Sequence, residues 1–530
     1  MSLFKSSSKL TTAILASALL ASLAAGLPTR CEAFQAALPS RHVRRVRITP
    51  IDGNASPELA RVAVGAKPGA VIPTGFLGLS HEWGTAQAMM GDSTKGVNTI
   101  YRQLIENLSA YGSGPLLLRI GGNSSDQTPE PNSTTAQPFA ELATALGTHF
   151  SLGVNLGSDN VNLAVDQAKA YSSQMPSGSL EAIEIGNEPD AYSINGMRTS
   201  AYTYKDYLAD FNKWRENVNP VLSPGTKLMG ASWGAMKTLA NLGSYESQEA
   251  EYLAAFSQHY YVASGEAANP EDILLTPAAA TTGPRAVTAA VAQTHKVGVP
   301  FRIGELNSLY HGGEAGISNA FQSALWAVDT MFEYASVGVD GVNWHTGNGG
   351  AYAAFSFDIQ SAGAKKSYAL ASVNPLYYGL LFFQASVGNH PRMLPVSLTT
   401  RANLTAWATD DSSETPRLVL LNKDESTTGN VGVSIRGYDH AEVYRLSAPS
   451  YQSTTGVTFA GQTFDGSADG TIQGTQAVES VDAESGVFQI PMPVTSAALV
   501  VFTNARTPVL PIQRVHKIIA IPALPSRIGN

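Results

Sequence analysis

The sequence predicts an α/β protein, in which a (β/α)8 barrel is followed by an antiparallel β-sandwich. Short apolar runs alternate with segments of helical spacing up to about residue 390, the pattern of strand–helix units. Near Pro391 the helical spacing stops, and short strands separated by Gly, Ser, Asp and Pro begin. A doubly wound sheet is the alternative for the first part, but no Gly-rich phosphate loop follows the first strand. The predicted barrel strands end near Trp83, Asn123, Gly157, Glu188, Trp233, Tyr261, Glu305 and Gly347.

The domain limits follow from these changes of pattern. The barrel is assigned to residues 71–390 and the β-sandwich to 391–505. Residues 34–70 form a lead that can add a strand to the β domain, and residues 506–530 form a tail for which surface packing and disorder both stay open. Helical spacing predicts barrel helices at residues 98–111, 161–173, 202–217, 284–295 and 317–337.

Composition limits the classes of partner. At 530 residues and 44% hydrophobic content, the chain can bury one large barrel and a smaller domain. Charged residues make up only 14% of it, and the formal net charge is −8. An acidic chain of this kind argues against nucleic acid and against polyanions in general as partners.

The N-terminus has the features of a secretory leader, assigned to residues 1–33. Lys5 and Lys9 precede an uncharged apolar run over residues 13–25, and small residues follow it. A membrane anchor is the alternative, but the run is short for crossing a bilayer. We therefore expect a secreted protein with no membrane association in its mature form. Cys31 is the only cysteine, so no internal disulfide is expected.

Five Asn residues begin an N-x-S/T triplet, the acceptor pattern for N-linked glycans. In a eukaryotic secretory pathway, Asn54, Asn107, Asn132 and Asn403 can carry glycans. Asn123 lies in a predicted strand-end motif, where a glycan would block the mouth of the barrel. We therefore predict that Asn123 is unmodified.

Two glutamates follow short apolar strands that end abruptly, and they are the candidate catalytic pair. Glu188 stands between Asn187 and a proline, and Glu305 follows a glycine in a second strand. Catalytic groups of a barrel enzyme lie at such strand ends. Glu188 is the predicted acid/base, because Asn187 beside it can hydrogen-bond a sugar hydroxyl, and Glu305 is the predicted nucleophile. Two carboxylates at strand ends are the constellation that cleaves a glycosidic bond. A mechanism that retains the anomeric configuration then requires carboxyls about 5 to 5.5 Å apart. The alternative is two unrelated surface carboxylates.

Several segments resemble a known family. Asn187-Glu188-Pro189 resembles the acid/base motif of the retaining barrel glycosidases of clan A. Longer segments resemble glycoside hydrolase family 79, the β-glucuronidase and heparanase-type enzymes, and the similarity spans about Thr74 to Phe502. These segments are Leu79-Ser80-His81-Glu82-Trp83, Leu118-Arg119-Ile120-Gly121-Gly122-Asn123-Ser124, Gly304-Glu305-Leu306-Asn307-Ser308, Ala324-Leu325-Trp326 and Asn343-Trp344-His345.

The resemblance implies roles around the nucleophile. Arg119 would hold Glu305 ionised through charge-assisted hydrogen bonds, and Tyr261 would donate a hydrogen bond to the same carboxylate. Glu82 and Asp126 would accept hydroxyls of the sugar ring. For Tyr261, ordinary core packing is the alternative on sequence alone.

The resemblance also implies how a C6 carboxylate would be recognised. In the similar glucuronidases, one tyrosine after the nucleophile and another after the eighth strand bind this group with help from a backbone N–H. Tyr310 and Tyr352 occupy those places, and Ala351 lies in the Gly-rich loop beside the second tyrosine. Phenol and amide donors can bind a carboxylate without a cation.

Four histidines complete the sequence predictions. His81 stands where the family usually has Phe, and His311 where a polar amide is common, so both are candidates to line the pocket. His259 and His345 lie on different strands without metal-ligand spacing, so we predict hydrogen-bonding pocket walls and no metal or other cofactor. The sequence contains no G-x-S-x-G elbow, the motif that would indicate a serine hydrolase.

The combined prediction is a secreted, retaining exo-β-glucuronidase that acts on terminal glucuronic acid of a polysaccharide or glycoconjugate. One alternative is an endo-acting enzyme of the heparanase or hyaluronidase type, which the net charge disfavours. Another is a catalytically silent carbohydrate-binding barrel. The oligomeric state is left open.

Overall fold

The computed structural model describes residues 43–48, 58–92, 96–112, 114–362, 365–411 and 415–504. The predicted leader with Cys31, the triplet at Asn54 and the tail over residues 506–530 lie outside the described residues. Within the described ranges, no helix is both long and apolar enough to cross a membrane.

Eight parallel strands close into a barrel in the order in which they follow one another along the chain, which confirms the predicted (β/α)8 fold. The eighth strand pairs back with the first, with Val342 opposite Leu77 and His345 opposite Ser80. The strands are β1 (Leu77–Glu82), β2 (Leu117–Gly121), β3 (His149–Val154), β4 (Leu180–Ile185), β5 (Lys227–Trp233), β6 (Leu253–Ser264), β7 (Phe301–Tyr310) and β8 (Gly341–His345).

The α-helices lie between and after these strands, and all five predicted helices are present. Sequence periodicity missed Pro375–Val387, because every one of its residues is buried and it therefore has no polar face. It also placed one helix start at Pro284, which lies inside the longer helix Pro277–Lys296. The helices are Trp83–Met90, Thr99–Ser109, Gln137–Leu146, Val161–Gln174, Tyr192–Asn195, Tyr204–Val218, Leu242–Glu249, Pro277–Lys296, Gln322–Ser336 and Pro375–Val387.

Two further sheets form the β-sandwich, and residues from both sheets, such as Val431 and Leu418, share one apolar core. The smaller sheet contains Val396–Thr400, Glu58–Val64, Gly429–Ile435 and Phe488–Met492. The larger contains Val43–Arg47, Gln476–Asp482, His440–Ser447, Ser496–Thr503, Arg417–Asn422, Leu404–Asp410 and Arg392–Leu394, with Thr458–Phe459 at its side. A hairpin, Phe355–Ala362 with Lys365–Val373, and a short pair, Gly91–Asp92 with Gly96–Val97, stand apart.

One strand of the smaller sheet comes from the segment that precedes the barrel. Glu58–Val64 pairs antiparallel with Val396–Thr400 and parallel with Gly429–Ile435. The β domain is thus built from chain on both sides of the barrel, and its smaller sheet is antiparallel except for the pairing of Glu58–Val64 with Gly429–Ile435.

A buried ion pair joins the barrel to the β domain. Asp329, on the helix after β7, accepts hydrogen bonds from Thr405 at 3.0 Å and Trp407 at 2.8 Å, and Lys423 Nζ lies 2.5 Å from its other oxygen. The Trp407 ring stacks on Phe332 of the same helix at 5.8 Å. The helix that follows the predicted nucleophile strand is therefore fixed by the β domain.

The fold corrects one predicted glycan acceptor. Asn107 is buried, and its Nδ2 donates to the carbonyl of Gly470 in the β domain at 2.7 Å. A glycan at this position would separate the barrel from the β domain. Asn403 is half-buried and its Nδ2 donates to Leu275 at 2.8 Å, whereas Asn132 is exposed.

Candidate active site

The turn after β4 places Glu188 at the mouth of the barrel. Gly186 has a φ of 73°, and a Cβ there would lie 2.6 Å from the Tyr192 hydroxyl, so glycine is needed to start the turn. Glu188 itself has a φ of 46°, which is unusual for a residue with a side chain. Its N–H donates to the Ser232 carbonyl at the end of β5 at 2.9 Å. Two neighbouring strands thus fix the predicted acid/base.

Glu305 lies on β7 and is held by several groups. Arg119 Nη1 donates to its Oε2 at 2.6 Å, and the Tyr261 hydroxyl donates to its Oε1 at 2.7 Å. His345 Nδ1 lies 3.5 Å from Oε2. The structure therefore brings Arg119, Tyr261 and His345 around the predicted nucleophile; the resemblance implied the contacts of Arg119 and Tyr261, whereas His345 was predicted only as a pocket wall.

The two glutamates face each other at short range. One carboxylate oxygen of each, together with a ring nitrogen of His259, lies within 4.8 Å of the others. This spacing fits the retaining arrangement, since inverting enzymes hold their carboxyls about 6.5 to 9.5 Å apart to admit a water. The three donor atoms are also close enough to share a metal ion. However, His259 Nδ1 is already at hydrogen-bond distance, 2.9 Å, from Glu188 Oε1, and an ion would occupy the place of a reacting sugar carbon.

The charge of Glu305 depends on these neighbours. Burial raises the pKa of its carboxyl, but the charges of His345, His259 and Arg119, together with the Tyr261 hydrogen bond, lower it further than burial raises it. The net result is a pKa well below the usual range of a glutamate. Burial also lowers the pKa of Arg119, while Glu184 and Glu305 raise it above its ordinary value. Glu305 is therefore an anion and Arg119 a cation over the whole neutral range.

Arg119 has contacts that the sequence analysis did not predict. Its Nε donates to Glu184 Oε2 at 2.6 Å, its Nη1 to Ser80 Oγ at 3.0 Å and its Nη2 to Asn187 Oδ1 at 2.7 Å. Glu184 is fully buried on β4, and its other oxygen accepts the Ser232 hydroxyl. Two acidic residues, Glu181 and Glu184, stand in the otherwise apolar β4, and they were the available signal for Glu184.

Glu82 lies at the end of β1 beside the predicted sugar site. Its two oxygens accept the N–H groups of Asn123 at 3.0 Å and Ser124 at 2.7 Å, and it keeps partial exposure. His345 Nε2 lies 3.9 Å from it. Glu82 and His345 are thus placed where they can bind a hydroxyl of a sugar in the mouth.

Asp126 is placed differently from Glu82. It is buried, one oxygen accepts the N–H groups of Leu156 at 2.9 Å and Gly157 at 2.7 Å, and the other accepts the Tyr192 hydroxyl at 2.7 Å. These are the contacts of a residue that positions the ends of β3 and β4. Its predicted direct contact with a sugar hydroxyl stays a prediction.

Three tyrosines form one cluster next to Glu305. The Tyr261 ring lies 6.2 Å from that of Tyr310 and 6.3 Å from that of Tyr352. Burial, followed by the charges of Glu305 and Glu82, raises the pKa of Tyr352, so its hydroxyl remains a donor. The loop with Ala351 is tied in place, because the Tyr352 N–H donates to the Gly312 carbonyl at 3.2 Å.

His81 and His311, the two histidines that depart from the family pattern, lie in different environments. His81 is fully buried, with its Nε2 2.9 Å from the hydroxyl of Tyr101 on helix Thr99–Ser109, so it does not line the pocket and that expectation is wrong. The cause is the alternation of side chains along β1, which turns Ser80 and Glu82 inward. His311 is exposed on the loop after β7, 3.2 Å from Glu266.

The fold and this site define a class. A closed (β/α)8 barrel carries one carboxylate after β4 and another on β7, with oxygens within 4.8 Å of each other and an arginine and a tyrosine on the second. This is the constellation of a glycoside hydrolase of the barrel type.

Comparisons with known proteins show what the chain is similar to. Residues 406–499 match the glycosyl hydrolase family 79 C-terminal beta domain. A β-glucuronidase of Aspergillus niger is 25% identical over 76% of this chain and 86% of its own length, and one of Neurospora crassa is 24% identical over 62% and 69%. The chain is therefore similar to glycoside hydrolase family 79 in its C-terminal β domain and to β-glucuronidases over most of its length.

Solved structures share the fold. A 4-O-α-L-rhamnosyl-β-D-glucuronidase from Fusarium oxysporum, in complex with Rha-GlcA, has a TM-score of 0.66 and 22% identity over 83% of this chain and 99% of its own. A family 51 arabinofuranosidase from Xanthomonas axonopodis has a TM-score of 0.61 and 14% identity over 84% of this chain and 100% of its own.

Proposed function

We propose that the protein is a secreted, retaining exo-β-glucuronidase that releases terminal β-linked glucuronic acid. The observation that carries the proposal is the pair Glu188 and Glu305, whose carboxylate oxygens approach within 4.8 Å beside a cluster of phenol donors. Two related proteins bear the name β-glucuronidase.

The pair performs a double displacement. A carboxylate oxygen of Glu305 forms a bond to C1 while the bond from C1 to the aglycone oxygen breaks, and Glu188 gives that oxygen its proton. Water then attacks C1 and loses a proton to Glu188, and the bond between C1 and Glu305 breaks. Two inversions at C1 give a product with the configuration of the substrate.

The tyrosine cluster supports the choice of a uronic acid. The hydroxyl of Tyr352 and that of Tyr310 are donors beside the sugar site, and a carboxylate accepts such donors more strongly than a neutral hydroxymethyl group does. The N–H of Ala351 lies in the same loop. These groups recognise an anion without adding a cation that would compete with Arg119 for Glu305.

The choice of an exo-acting over an endo-acting enzyme rests on charge. Arg119 is committed to two carboxylates, and Arg198 pairs with Asp210 at 3.1 Å. A sulfated or polyuronic chain would need cations along a cleft, and the formal net charge of −8 opposes its approach. A silent binding barrel is disfavoured because the charge-controlling contacts of Glu305 are all present.

The test compares p-nitrophenyl β-D-glucuronide with p-nitrophenyl β-D-glucoside, using the purified mature protein and Glu305→Gln as the inactive control. We expect cleavage of the glucuronide alone, with NMR showing the β-anomer first. Tyr352→Phe should lose glucuronide cleavage and gain relative glucoside cleavage. Preference for the glucoside would reject the carboxylate site, and the α-anomer would reject the retaining mechanism.

Two further measurements refine the proposal. A glucuronide that carries a 4-O-rhamnosyl cap tests whether the site accepts the kind of substrate named for the Fusarium relative. Secretion is tested by expressing the full chain and locating the activity. Activity in the medium, with a new N-terminus after residue 33 or close to it, supports the leader, and activity retained inside the cell contradicts it.

A further inference from the structure

Arg119 serves two buried carboxylates at once. Its Nε–H donates to Glu184 and its Nη1–H to Glu305, each at 2.6 Å, and both carboxylates are nearly closed to solvent. The second oxygen of Glu184 accepts the Ser232 hydroxyl. One guanidinium cation therefore stands between two anions in a dry part of the barrel.

The role of Glu184 is not explained by substrate contact. It lies within β4, shortly before Asn187 and Glu188 in the chain, and it is fully buried below the mouth of the barrel. Among the described residues, Arg119 is its ion-pair partner. Burying a carboxylate costs free energy unless the carboxylate is paired. We therefore expect the charge of Glu184, beside the nucleophile, to have a function.

The reaction changes the balance of charge around Arg119. This step rests on the proposed function. Before reaction, Arg119 faces two carboxylates. When Glu305 forms its bond to C1, its carboxylate becomes an ester and its negative charge is consumed. Arg119 then faces one carboxylate, that of Glu184, and the buried cation remains paired.

We propose that Glu184 is a positioning residue that acts through Arg119 as the counter-ion of the glycosyl-enzyme intermediate. In the free enzyme it shares Arg119 with Glu305, so the nucleophile is held less tightly and attacks more readily. In the intermediate it prevents an unpaired guanidinium in a dry site. Without Glu184, formation of the intermediate is disfavoured, whereas its breakdown, which restores the Glu305 carboxylate beside Arg119, is favoured.

The experiment traps the intermediate with 2-deoxy-2-fluoro-β-D-glucuronyl fluoride. Glu305 forms a bond to C1 and fluoride leaves as an anion, so no proton from Glu188 is required. The rates of trapping and of reactivation in water are measured for the unaltered enzyme and for Glu184→Gln, with mass spectrometry of the adduct. We expect trapping to slow by about 10- to 100-fold and reactivation to be equal or faster.

A structural role of Glu184 would change the rates of trapping and reactivation alike. The proposed role changes the two rates unequally or in opposite directions. Equal slowing of both rates, or no change in either, would overturn the proposal. Glu184→Asp retains the charge and should recover part of the trapping rate, which also covers the case in which the Gln variant does not fold. Glu249→Gln is the matched control, because Glu249 is another buried carboxylate, 2.8 Å from Arg215 in the helical layer. Its two rates should not change.

Failure of the proposed substrate can be told apart from failure of this inference. If the unaltered enzyme is trapped only by the corresponding 2-fluoroglucosyl fluoride, the uronic acid proposal is wrong. The same two rates, measured with that reagent, then still test Glu184. If neither reagent labels Glu305, both proposals are rejected together.

Discussion

The surroundings of the two predicted catalytic glutamates differ, although both belong to the same barrel, Glu305 within β7 and Glu188 in the turn after β4. The Glu305 side chain is 9% exposed and is bound by Arg119 and Tyr261, whereas the Glu188 side chain is 26% exposed and contacts His259. The charges of His345, His259 and Arg119, together with the Tyr261 hydrogen bond, stabilise the ionised form of Glu305. Glu188 has no arginine partner among its contacts in the described structure. The environment, rather than the residue type, thus supports the proposed roles of Glu305 as nucleophile and Glu188 as proton donor.

The largest effect is expected at the buried member of the pair. Glu305→Gln removes the atom that bonds to C1, and kcat/KM for the aryl glucuronide should fall by about 10⁴-fold or more. The fall should be the same for good and poor leaving groups, because no covalent intermediate can form. Glu249→Gln again serves as the control, and residual activity above one hundredth of normal would assign the nucleophile elsewhere.

Replacing the more exposed glutamate should give a selective loss. Glu188→Gln cannot protonate the departing oxygen, so activity on a poor leaving group such as a sugar should fall by about 10²- to 10⁴-fold. For 2,4-dinitrophenol, which leaves as a stable anion, the first step should change little. Equal loss on both substrates would show that Glu188 does more than transfer a proton.

Sequence reasoning located this pair because turn residues stand next to both glutamates. A proline follows Glu188, and a glycine precedes Glu305. It did not single out Glu184, because this residue lies inside β4 before the turn and its partner Arg119 is on another strand. The pairing of Glu58–Val64 with Gly429–Ile435 likewise depends on distant chain and leaves no local pattern.

The same limit explains the two errors at single residues. His81 was placed in the pocket because its motif is near the mouth, but strand alternation turns it towards Tyr101. Asn107 was accepted as a glycan site because a triplet is visible in sequence, whereas the packing of the β domain over it is not. Sequence motifs indicate where strands end, whereas the direction in which each side chain points is known only from the assembled barrel.

Removing the phenol beside Glu305 should have a moderate effect with a pH signature. Tyr261→Phe deletes a hydrogen bond to the ionised carboxylate, so activity should fall by about 10- to 100-fold. This bond lowers the pKa of Glu305, and its loss raises that pKa. The enzyme needs the ionised form, so the acidic limb of kcat/KM should move to higher pH. An unchanged acidic limb would mean that the bond does not control ionisation.

The smallest effect is expected at His259, and it completes the comparison from the side of Glu188. His259→Asn removes the ring nitrogen 2.9 Å from Glu188 Oε1, and one hydrogen bond of this kind corresponds to about 10-fold or less. The loss should be larger for a poor leaving group than for 2,4-dinitrophenol, because the contact orients the proton donor. Tyr261→Phe should affect both substrates equally, so the dependence on the leaving group shows which neighbour orients the proton donor. Because the charge of His259 also lowers the pKa of Glu305, His259→Asn should in addition move the acidic limb to higher pH. Equal loss on both leaving groups would show that His259 does not orient the proton donor.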